Sequence, residues 1–211
     1  MVLKDLYLVQ RKDIEKATMV LTRAFQEDPL VRLIYPNSEE RMKFTPFLWR
    51  YLIKDGLKCG KVYSPTNKIE GVAKWLPPGK EHMGIWRSIR SGALSMGWAM
   101  SKQKDERKRS TREIQQLTDV ILKKHKEIMK EPHWYLANIG VDPKNQGKGY
   151  GSSLIKPMLE YIEKKGYPVY LETNFQGNVG LYEHLGFEVI DEMKIPETEI
   201  MNWGMIKKPK L

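Results

Sequence analysis

Cysteine is nearly absent from this sequence, and no hydrophobic run is long. Cys59 is the single cysteine among 211 residues, which excludes an internal disulfide and favours a reducing compartment. We interpret Cys59 as a buried structural thiol, because no neighbouring motif would activate it. The longest weakly polar run, residues 92–100, is too short to cross a bilayer, and the first residues lack the apolar core of a signal peptide. The expected location is therefore the cytoplasm, without a membrane partner.

Acidic residues are in the minority, with 36 Lys and Arg against 26 Asp and Glu and a net charge of +10. Hydrophobic residues make up 41% and charged residues 29%, as in an ordinary globular domain, and this length can enclose one sizeable core. The densest basic cluster lies at residues 102–112, but the two signs are interspersed elsewhere. Nucleic-acid binding would require a concentrated basic face, so we favour a lysine-rich surface around a polyanionic ligand.

Hydrophobic periodicity predicts alternating strands and helices in a single domain, residues 1–211. Strands are predicted at residues 6–9, 61–64, 69–76, 133–141, 169–173, 187–190 and 201–206. The second and third of these should form a hairpin, and the last two should pair antiparallel. Helices are predicted after Asp13, from Ser38, after the glycine-rich segment described below and after Asn178. The helix from Ser38 should be kinked or restarted by Pro46. Its apolar face is predicted to consist of Phe44, Phe47, Leu48, Tyr51 and Leu52.

Residues 77–131 have a helical pattern and would form an insertion between two strands. The first part is rich in Trp and Met: Met83, Trp86, Met96, Trp98 and Met100. Such side chains at helical spacing usually belong to a core, although this position also suits a lid over an amine-binding pocket. The second part places His125 on the apolar stripe of a long helix, where a histidine is more often a packing residue than a catalyst. Residues 25–36 either line an acceptor pocket or form a packed helix connection.

A glycine-rich segment, residues 141–151 (VDPKNQGKGYG), lies between a predicted strand and a predicted helix. The first N–H groups of a helix have no partner within it, and the helix dipole adds positive charge, so anions bind there. Gly147, Gly149 and Gly151 would let a pyrophosphate approach the backbone, and neighbouring Gln and Lys side chains would add donors. A glycine-rich turn without a ligand is the alternative interpretation.

The spacing of this segment distinguishes between phosphate-binding motifs. A P-loop needs four residues between its first Gly and a Gly-Lys-Ser/Thr, and this spacing is absent, as is the dinucleotide fingerprint Gly-x-Gly-x-x-Gly. The pattern that remains is Gln146-x-x-Gly149-x-Gly151. It resembles the acetyl-CoA pyrophosphate loop of the GNAT superfamily of N-acyltransferases at every defined position.

This resemblance implies an α/β (α+β) GNAT fold, in which a mixed, mostly antiparallel sheet has splayed central strands and helices on both faces. It also implies acetyl-CoA (coenzyme A) as cosubstrate, and we expect no metal. The implied cofactor contacts are Asn138, Ile139, Gly140, Val141, Gln146, Gly147, Lys148, Gly149, Tyr150, Gly151, Ser152, Asn178 and Tyr182.

A second motif, Asn178-x-x-x-Tyr182, supports the same family, because residues four apart share a helix face. By the resemblance, Asn178 lies near the pantetheine arm, and Tyr182 is the catalytic donor to the sulfur of the leaving thiolate. The alternative for Tyr182 is an aromatic residue packed beneath the wedge between the splayed strands. Segments at residues 130–134 and 171–173 further resemble the puromycin N-acetyltransferase group.

Glu172 is the candidate for accepting the proton of the acceptor amine, and a strand carboxylate paired with a lysine is the alternative. His133 and Glu70 are weaker candidates. Backbone N–H groups along residues 138–141 are the expected donors to the oxygen of the reacting carbonyl. No strong base is evident in the sequence, so amines of low pKa, such as aminoacyl amines, are the expected acceptors.

The predicted function is transfer of an acetyl group from acetyl-CoA to a primary amine of a small molecule, such as an aminoacyl-type or antibiotic amine. A peptide or protein amine is an alternative acceptor, but it would need an open groove rather than a pocket covered by residues 77–131. A CoA-binding module without turnover is the alternative from a different class. The sequence leaves the oligomeric state open between a monomer and a homodimer.

Overall fold

A computed structural model describes residues 3–82, 84–94, 96–97 and 111–210. The strands among them are β1 (Tyr7–Leu8), β2 (Lys61–Ser64), β3 (Gly71–Leu76), β4 (Trp134–Val141), β5 (Val169–Thr173), β6 (Glu188–Lys194) and β7 (Met201–Lys207). They form one sheet in the order β1-β2-β3-β4-β5-β7-β6. The pair β4 and β5 is parallel, and the other neighbours are antiparallel. The predicted mixed, mostly antiparallel sheet is confirmed, as are both predicted antiparallel hairpins.

The helices lie on both faces of this sheet. They are α1 (Ile14–Ala24), α2 (Pro29–Ile34), α3 (Ser38–Cys59), α4 (Ile85–Ser91), α5 (Thr111–Ile128), α6 (Tyr150–Glu163) and α7 (Val179–His184). Along β3, Ala73 belongs to the core cluster that contains residues of α6 and α7, whereas Val72 belongs to the cluster with α1 and α3. Successive strand residues point to opposite faces, so α1 and α3 cover one face and α6 and α7 the other.

The central strands β4 and β5 separate soon after they meet. Among the described residues they pair at two positions, Trp134 with Val169 and Tyr135 with Tyr170. Beyond these positions β4 continues to Val141 beside β3, while β5 continues beside β7. The pairing of β3 and β4 jumps from Leu136 to Asn138 across consecutive β3 residues, which leaves one bulged residue on β4. The result is an open wedge between the two central strands.

The sequence patterns predicted α6 more accurately than α3. The five apolar residues predicted to face the core from α6 are all buried: Leu154, Ile155, Met158, Leu159 and Ile162. In α3 the predicted face is partly wrong, because Trp49 and Ile53 join the core while Phe47 and Leu48 are half-buried. The helix also continues through Pro46 and does not restart there. Cys59, expected to be buried, is partly exposed at the end of α3.

Residues between β3 and β4 form α4 and α5 in their described parts. Trp86 on α4 is 80% exposed, so the expectation of a core tryptophan is wrong at this position. Met83, Trp98, Met100 and residues 102–110 of the basic cluster lie outside the described residues. No helix in the described part of the chain is both long and apolar enough to span a bilayer.

Candidate active site

The predicted anion loop folds as an exposed turn that leads directly into α6. Gly149 is the N-cap of α6 with φ +80°, and Gly147 has φ +76°, a left-handed conformation that costs a residue with a Cβ about 1–2 kcal/mol. The first bond into the helix runs from Ser153 N to Gly149 O over 3.0 Å, so the preceding N–H groups have no partner within the helix. A Cβ at Gly147, Gly149 or Gly151 would meet no atom within 4 Å. The loop therefore presents open backbone at the positive end of a helix dipole, which fits a pyrophosphate.

Arg23 and Asp142 hold the start of this loop against α1. Arg23 Nε and Nη2 donate to Asp142 Oδ2 over 2.9 and 2.5 Å, and Asp142 Oδ1 accepts from Lys144 N at 3.3 Å. Burial of Asp142 opposes its ionisation, but the bonds from Arg23 and Lys144 outweigh burial and lower the pKa of the carboxyl group. Sequence reasoning missed this clamp, because its two residues are separated by 119 positions.

Side chains of the loop also bind its own backbone. Gln146 Nε2 donates to Val141 O over 3.2 Å, and Lys148 Nζ donates to Lys144 O over the same distance. Lys148 Nζ also reaches Asn145 Oδ1 at 3.2 Å. All of these bonds are exposed, so the Lys148 ammonium lies at the surface beside the open backbone. Tyr150 and Ser152 are half-buried in the first turn of α6.

The predicted contacts at residues 138–141 lie along the last half of β4, at the edge of the wedge. Asn138 pairs with Lys74 immediately after the bulge, and Ile139 packs against the core on the α6 side. Gly140 has a packing role that the sequence did not predict, since a Cβ there would lie 2.8 Å from the Ala24 Cβ of α1. Val141 is the last residue of the strand and leads into Asp142. The strand therefore brings its backbone from the wedge to the glycine loop.

Tyr182 is buried on the α6 side of the sheet, where its ring contacts Phe187 at a centroid distance of 5.9 Å. Burial raises its pKa to about 12. The side chain therefore stays a neutral phenol that can donate a hydrogen bond. Asn178 precedes α7, and its Nδ2 donates to Thr173 Oγ1 over 3.3 Å. This bond connects the start of α7 to the last residue of β5.

Glu172 lies two residues beyond Tyr170, where β5 has left β4, with a side chain that is 8% exposed. Tyr135 on β4 donates its hydroxyl to Glu172 Oε2 over 2.5 Å, and Tyr170 also donates to this carboxylate. Burial dominates over these two bonds and raises the pKa of Glu172 to about 7. A carboxylate with this pKa can accept a proton at neutral pH, which is the property that the predicted role of Glu172 as base requires. Among the described residues, the hydrogen-bond donors to Glu172 are the hydroxyl groups of two tyrosines rather than a lysine ammonium.

One histidine contacts Glu172 on the face covered by α5, and a second contacts the first. His125 Nδ1 lies 3.4 Å from Glu172 Oε1, and His125 Nε2 lies 2.8 Å from His133 Nε2. His133 Nδ1 lies 2.7 Å from Glu131 O. His125 is fully buried, and burial lowers its pKa to about 3. The interpretation of His125 as a half-buried packing residue therefore missed its contact with the candidate base.

The other expected candidates have structural roles. Glu70 lies in the β2–β3 turn and accepts from Thr66 Oγ1 at 2.8 and 2.9 Å. Within residues 25–36, Asp28 Oδ1 caps α2 by accepting from Leu30 N and Val31 N at 3.0 Å each. Among the described residues, no group of three or more His, Cys, Asp and Glu side chains has an arrangement that could hold a metal ion.

A buried ion cluster fixes α4 against the sheet on the same face as Glu172. Asp55 on α3 is fully buried and binds Lys74 Nζ at 2.9 Å and Arg87 of α4 at 2.6 and 2.7 Å. Burial of Asp55 opposes ionisation, but the two cations outweigh it and lower its pKa. Tyr51 of α3 also bonds Ser88 of α4 over 2.6 Å. No local sequence pattern indicates this cluster, because α3, β3 and α4 each contribute a residue.

Comparisons with known proteins identify the family of the chain and its fold. Residues 95–187 match the Acetyltransferase (GNAT) family. The chain is 31% identical over 184 residues to an uncharacterised N-acetyltransferase of Schizosaccharomyces pombe, covering 85% of this chain and 72% of that protein. A solved structure described as histone acetyltransferase HPA2 and related acetyltransferase, from Corynebacterium glutamicum, matches 98% of this chain and 96% of its own, with a TM-score of 0.64 and 23% identity. A variant of an agmatine N-acetyltransferase matches 96% and 98%, with a TM-score of 0.57 and 14% identity.

Proposed function

Because the chain belongs to the acetyltransferase (GNAT) family, we propose that it transfers the acetyl group of acetyl-CoA to a primary amine of a small molecule. Family membership makes it an acyltransferase enzyme. The donor, the acceptor class and the roles of individual residues are the proposal. The main support for this proposal is the wedge between β4 and β5. The glycine loop lies at one end of the wedge, and Glu172 and Tyr182 lie on opposite faces of the sheet.

Acetyl-CoA supplies the acetyl group as a thioester, and its pyrophosphate fits the open loop at the start of α6. The candidate phosphate-binding groups are the backbone N–H groups of residues 147–152, with the side chains of Gln146 and Lys148. Asn178, held by Thr173 at the end of β5, would meet the pantetheine arm where it enters the wedge. The net charge of +10 favours the approach of such a polyanion.

In the proposed reaction, the amine proton is removed on one face of the sheet and the sulfur of the leaving group is stabilised on the other face. Glu172 takes a proton from the acceptor amine, which frees the nitrogen lone pair for attack. Backbone N–H groups of β4 at residues 138–141 lie beyond the last pairing of β4 with β5. They donate hydrogen bonds to the carbonyl oxygen and stabilise the negative charge that develops on it. Tyr182 donates a hydrogen bond to the sulfur as the carbon–sulfur bond breaks. A thiol pKa near 8.5 and a tyrosine pKa of about 12 make full proton transfer uphill by about 5 kcal/mol, so Tyr182 acts as a hydrogen-bond donor.

A small-molecule acceptor is favoured over a peptide because α4 and α5 lie over the Glu172 face. Arg87 joins α4 to the buried carboxylate of Asp55, and His125 of α5 packs against Tyr135 and Tyr170 with ring centroids 4.7 and 4.4 Å apart. A peptide would have to displace these helices or thread beneath them. Puromycin-like amines remain a prediction from the resemblance at residues 130–134 and 171–173.

The experiment that tests the proposal measures thiol release from acetyl-CoA in the presence of single compounds from an amine library. The library contains aminoacyl compounds, alkyl diamines and short peptides with free N-termini. Turnover with small amines supports the proposal. Turnover confined to peptides would favour the alternative acceptor, and tight CoA binding without thiol release against any amine would show a binding module without catalysis.

A further inference from the structure

Three of the four histidines of the chain cluster beside Glu172. The proposed roles of the glycine loop and of Tyr182 do not involve these histidines. His125 comes from α5, His133 directly precedes β4, and His82 follows β3. Within the cluster, three contacts run in series from Glu172 to His125, from His125 to His133 and from His133 to the Glu131 carbonyl. Imidazole is unusual among side chains, because it can take a proton on one nitrogen and release another from the opposite nitrogen.

The hydrogen-bond partners fix where the hydrogens lie in this series. The carbonyl oxygen of Glu131 can only accept, so the hydrogen of their 2.7 Å contact lies on His133 Nδ1. In neutral His133 the Nε2 atom is then an acceptor, and the hydrogen of the 2.8 Å contact between the rings belongs to His125 Nε2. A neutral His125 therefore turns a bare Nδ1 towards Glu172 Oε1.

The series consequently lacks one hydrogen when Glu172 is ionised. His125 Nδ1 and Glu172 Oε1 are both buried, and neither has a hydrogen-bond partner among the described residues. Their separation of 3.4 Å is longer than the two contacts that follow it. Reversing both ring tautomers moves the missing hydrogen to the other end of the series, where it leaves His133 Nδ1 and Glu131 O unpaired. If one proton is added to the series, each of the three contacts contains one hydrogen and is a hydrogen bond.

We propose that His125 and His133 are positioning residues which, with Glu172, form a relay that takes one proton from the acceptor amine and carries it away from the wedge. This proposal rests on the proposed function and extends it to two residues that do not touch substrate. The relay gives the acceptor proton a defined exit on the α5 side of the sheet, away from the side on which Tyr182 binds the sulfur.

The proton balance of the relay closes at each step. The amine N–H bond breaks and an O–H bond forms on Glu172. That hydrogen passes to His125 Nδ1 while the hydrogen on His125 Nε2 passes to His133 Nε2, so Glu172 is again a carboxylate and His133 is an imidazolium. His133 then releases the hydrogen on Nδ1, and among the described residues the carboxylate beside that nitrogen is Glu81, whose Oε1 lies 4.0 Å away. This leaves both rings in the reversed tautomers, so each ring must return its hydrogen to its other nitrogen before the next turnover. No electrons are transferred in any step.

Among the described residues, several titratable groups lie around the relay. They are Tyr135 of β4, Tyr170 of β5, Lys126 of α5, and Glu81 and His82 of the segment after β3, and Asp191 of β6 acts on Tyr170. Tyr135 and Tyr170 donate to Glu172 and stabilise its carboxylate, while His82 and Lys126 disfavour a charge on His125. Glu81 is the acidic group beside His133, so the surrounding charges direct a positive charge towards the His133 end.

A shared metal ion is a poorer explanation of the cluster. Two imidazole nitrogens bound to one tetrahedral zinc ion are about 3.3 Å apart, given bonds of about 2.0–2.1 Å. The 2.8 Å between the two Nε2 atoms is a hydrogen-bond distance, so the rings bind each other directly.

The first test compares His125→Asn and His133→Asn with the control His184→Asn, which changes the remaining histidine, on exposed α7 surface. Asparagine at position 125 still reaches Glu172 and can donate to it, but it cannot contact His133. We expect kcat to fall by about a hundredfold in His125→Asn, with KM for both substrates within about twofold of wild type. The acidic limb of kcat/KM should move to lower pH by about half a unit, because the new amide stabilises the carboxylate.

His133→Asn should lower kcat to a similar extent, because it removes the proton exit while keeping the contact between His125 and Glu172. The control should keep the kcat and the pH profile of wild type. Wild-type kcat in either relay variant would overturn the proposal. So would a loss of kcat with an unshifted acidic limb in His125→Asn, which would indicate a purely structural role.

A second measurement does not depend on turnover and separates failure of the relay from failure of the proposed function. Protein labelled with ¹⁵N in its histidine rings is titrated by NMR between pH 5 and 9. A relay predicts that the nitrogens of His125 and His133 shift together with one midpoint, and that this midpoint disappears in Glu172→Gln. Unlinked titrations of the two rings, or identical behaviour in Glu172→Gln, would overturn the relay even if the amine screen succeeds.

Discussion

The Tyr135 hydroxyl and the Glu172 carboxylate join the two central strands at the point where they separate, through a hydrogen bond of 2.5 Å. This bond lowers the pKa of Glu172, while burial, the larger effect, raises it to about 7. Because the ionised form is the base, kcat/KM should rise with pH through about 7 and level off above it. The midpoint of that rise is the pKa of Glu172, so it changes when the surroundings of this carboxylate change.

Tyr135→Phe removes a bond that stabilises the carboxylate, so the pKa of Glu172 should rise. We expect the acidic limb of kcat/KM to move to higher pH by about 0.5–1 unit. The measurement is a pH–rate profile at saturating acetyl-CoA. Tyr161→Phe is a suitable control, because Tyr161 packs against Trp134 on the α6 side of the sheet. An unshifted limb in Tyr135→Phe would remove Glu172 from the role of base.

Gly149→Val places a branched side chain where we expect pyrophosphate to meet the backbone, at a residue with φ +80°. Calorimetry should show that CoA affinity falls about tenfold or more. Gly166→Val is the matched control, since Gly166 has φ +71° and equally open space but lies beyond the C-terminus of α6. Both variants carry the same backbone strain, so equal loss of CoA affinity in the two would argue against contact with the loop.

Tyr182→Phe should lower kcat by about 10–100-fold while the Kd for acetyl-CoA changes little, because the hydroxyl matters only as the sulfur gains charge. The two quantities are measured by steady-state kinetics and by calorimetry on the same preparation. If affinity and turnover fall together, Tyr182 has a packing role. If neither changes, water serves as the donor to sulfur.

Asp55→Asn should destabilise the protein by about 3–5 kcal/mol, because it leaves Lys74 and Arg87 buried without their counter-charge. Urea unfolding at pH 7 measures this change. Glu15→Gln breaks the exposed ion pair with Arg50 and should cost less than about 1 kcal/mol. A small effect of Asp55→Asn would show that the cluster does not anchor α4.

Acceptor amines of low pKa should be preferred over lysine-like amines. Transfer of a proton to Glu172 at a pKa of about 7 is uphill by about 1 kcal/mol from an α-amine and by about 5 kcal/mol from a lysine-like amine. The measurement is kcat/KM for pairs of acceptors with similar shape and different amine pKa, in wild type and in Glu172→Gln. A preference for lysine-like amines that is lost in Glu172→Gln would contradict this expectation.

Local sequence patterns were sufficient to predict the glycine loop and the helix that follows it. The loop from Gln146 to Gly151 and the helix α6 that follows it depend on glycine conformation, on a 3.6-residue apolar repeat and on free helix N–H groups, all of which are properties of neighbouring residues. The same locality explains why both antiparallel hairpins were predicted. The assignment of bound groups to Asn178 and Tyr182 remains a prediction.

Tertiary structure alone decided the acidity of Glu172 and its neighbours. The sequence showed a glutamate in a strand and a histidine on a helical stripe, but their separation of 3.4 Å depends on the packing of His125 of α5 against Tyr170 of β5. A pKa near 7 depends on burial and on hydroxyl groups from two different strands, and neither can be read from residues adjacent to Glu172. The clamp between Arg23 and Asp142 and the ions around Asp55 were missed for the same reason. Charge interactions act across space, whereas a sequence pattern records only what lies nearby along the chain.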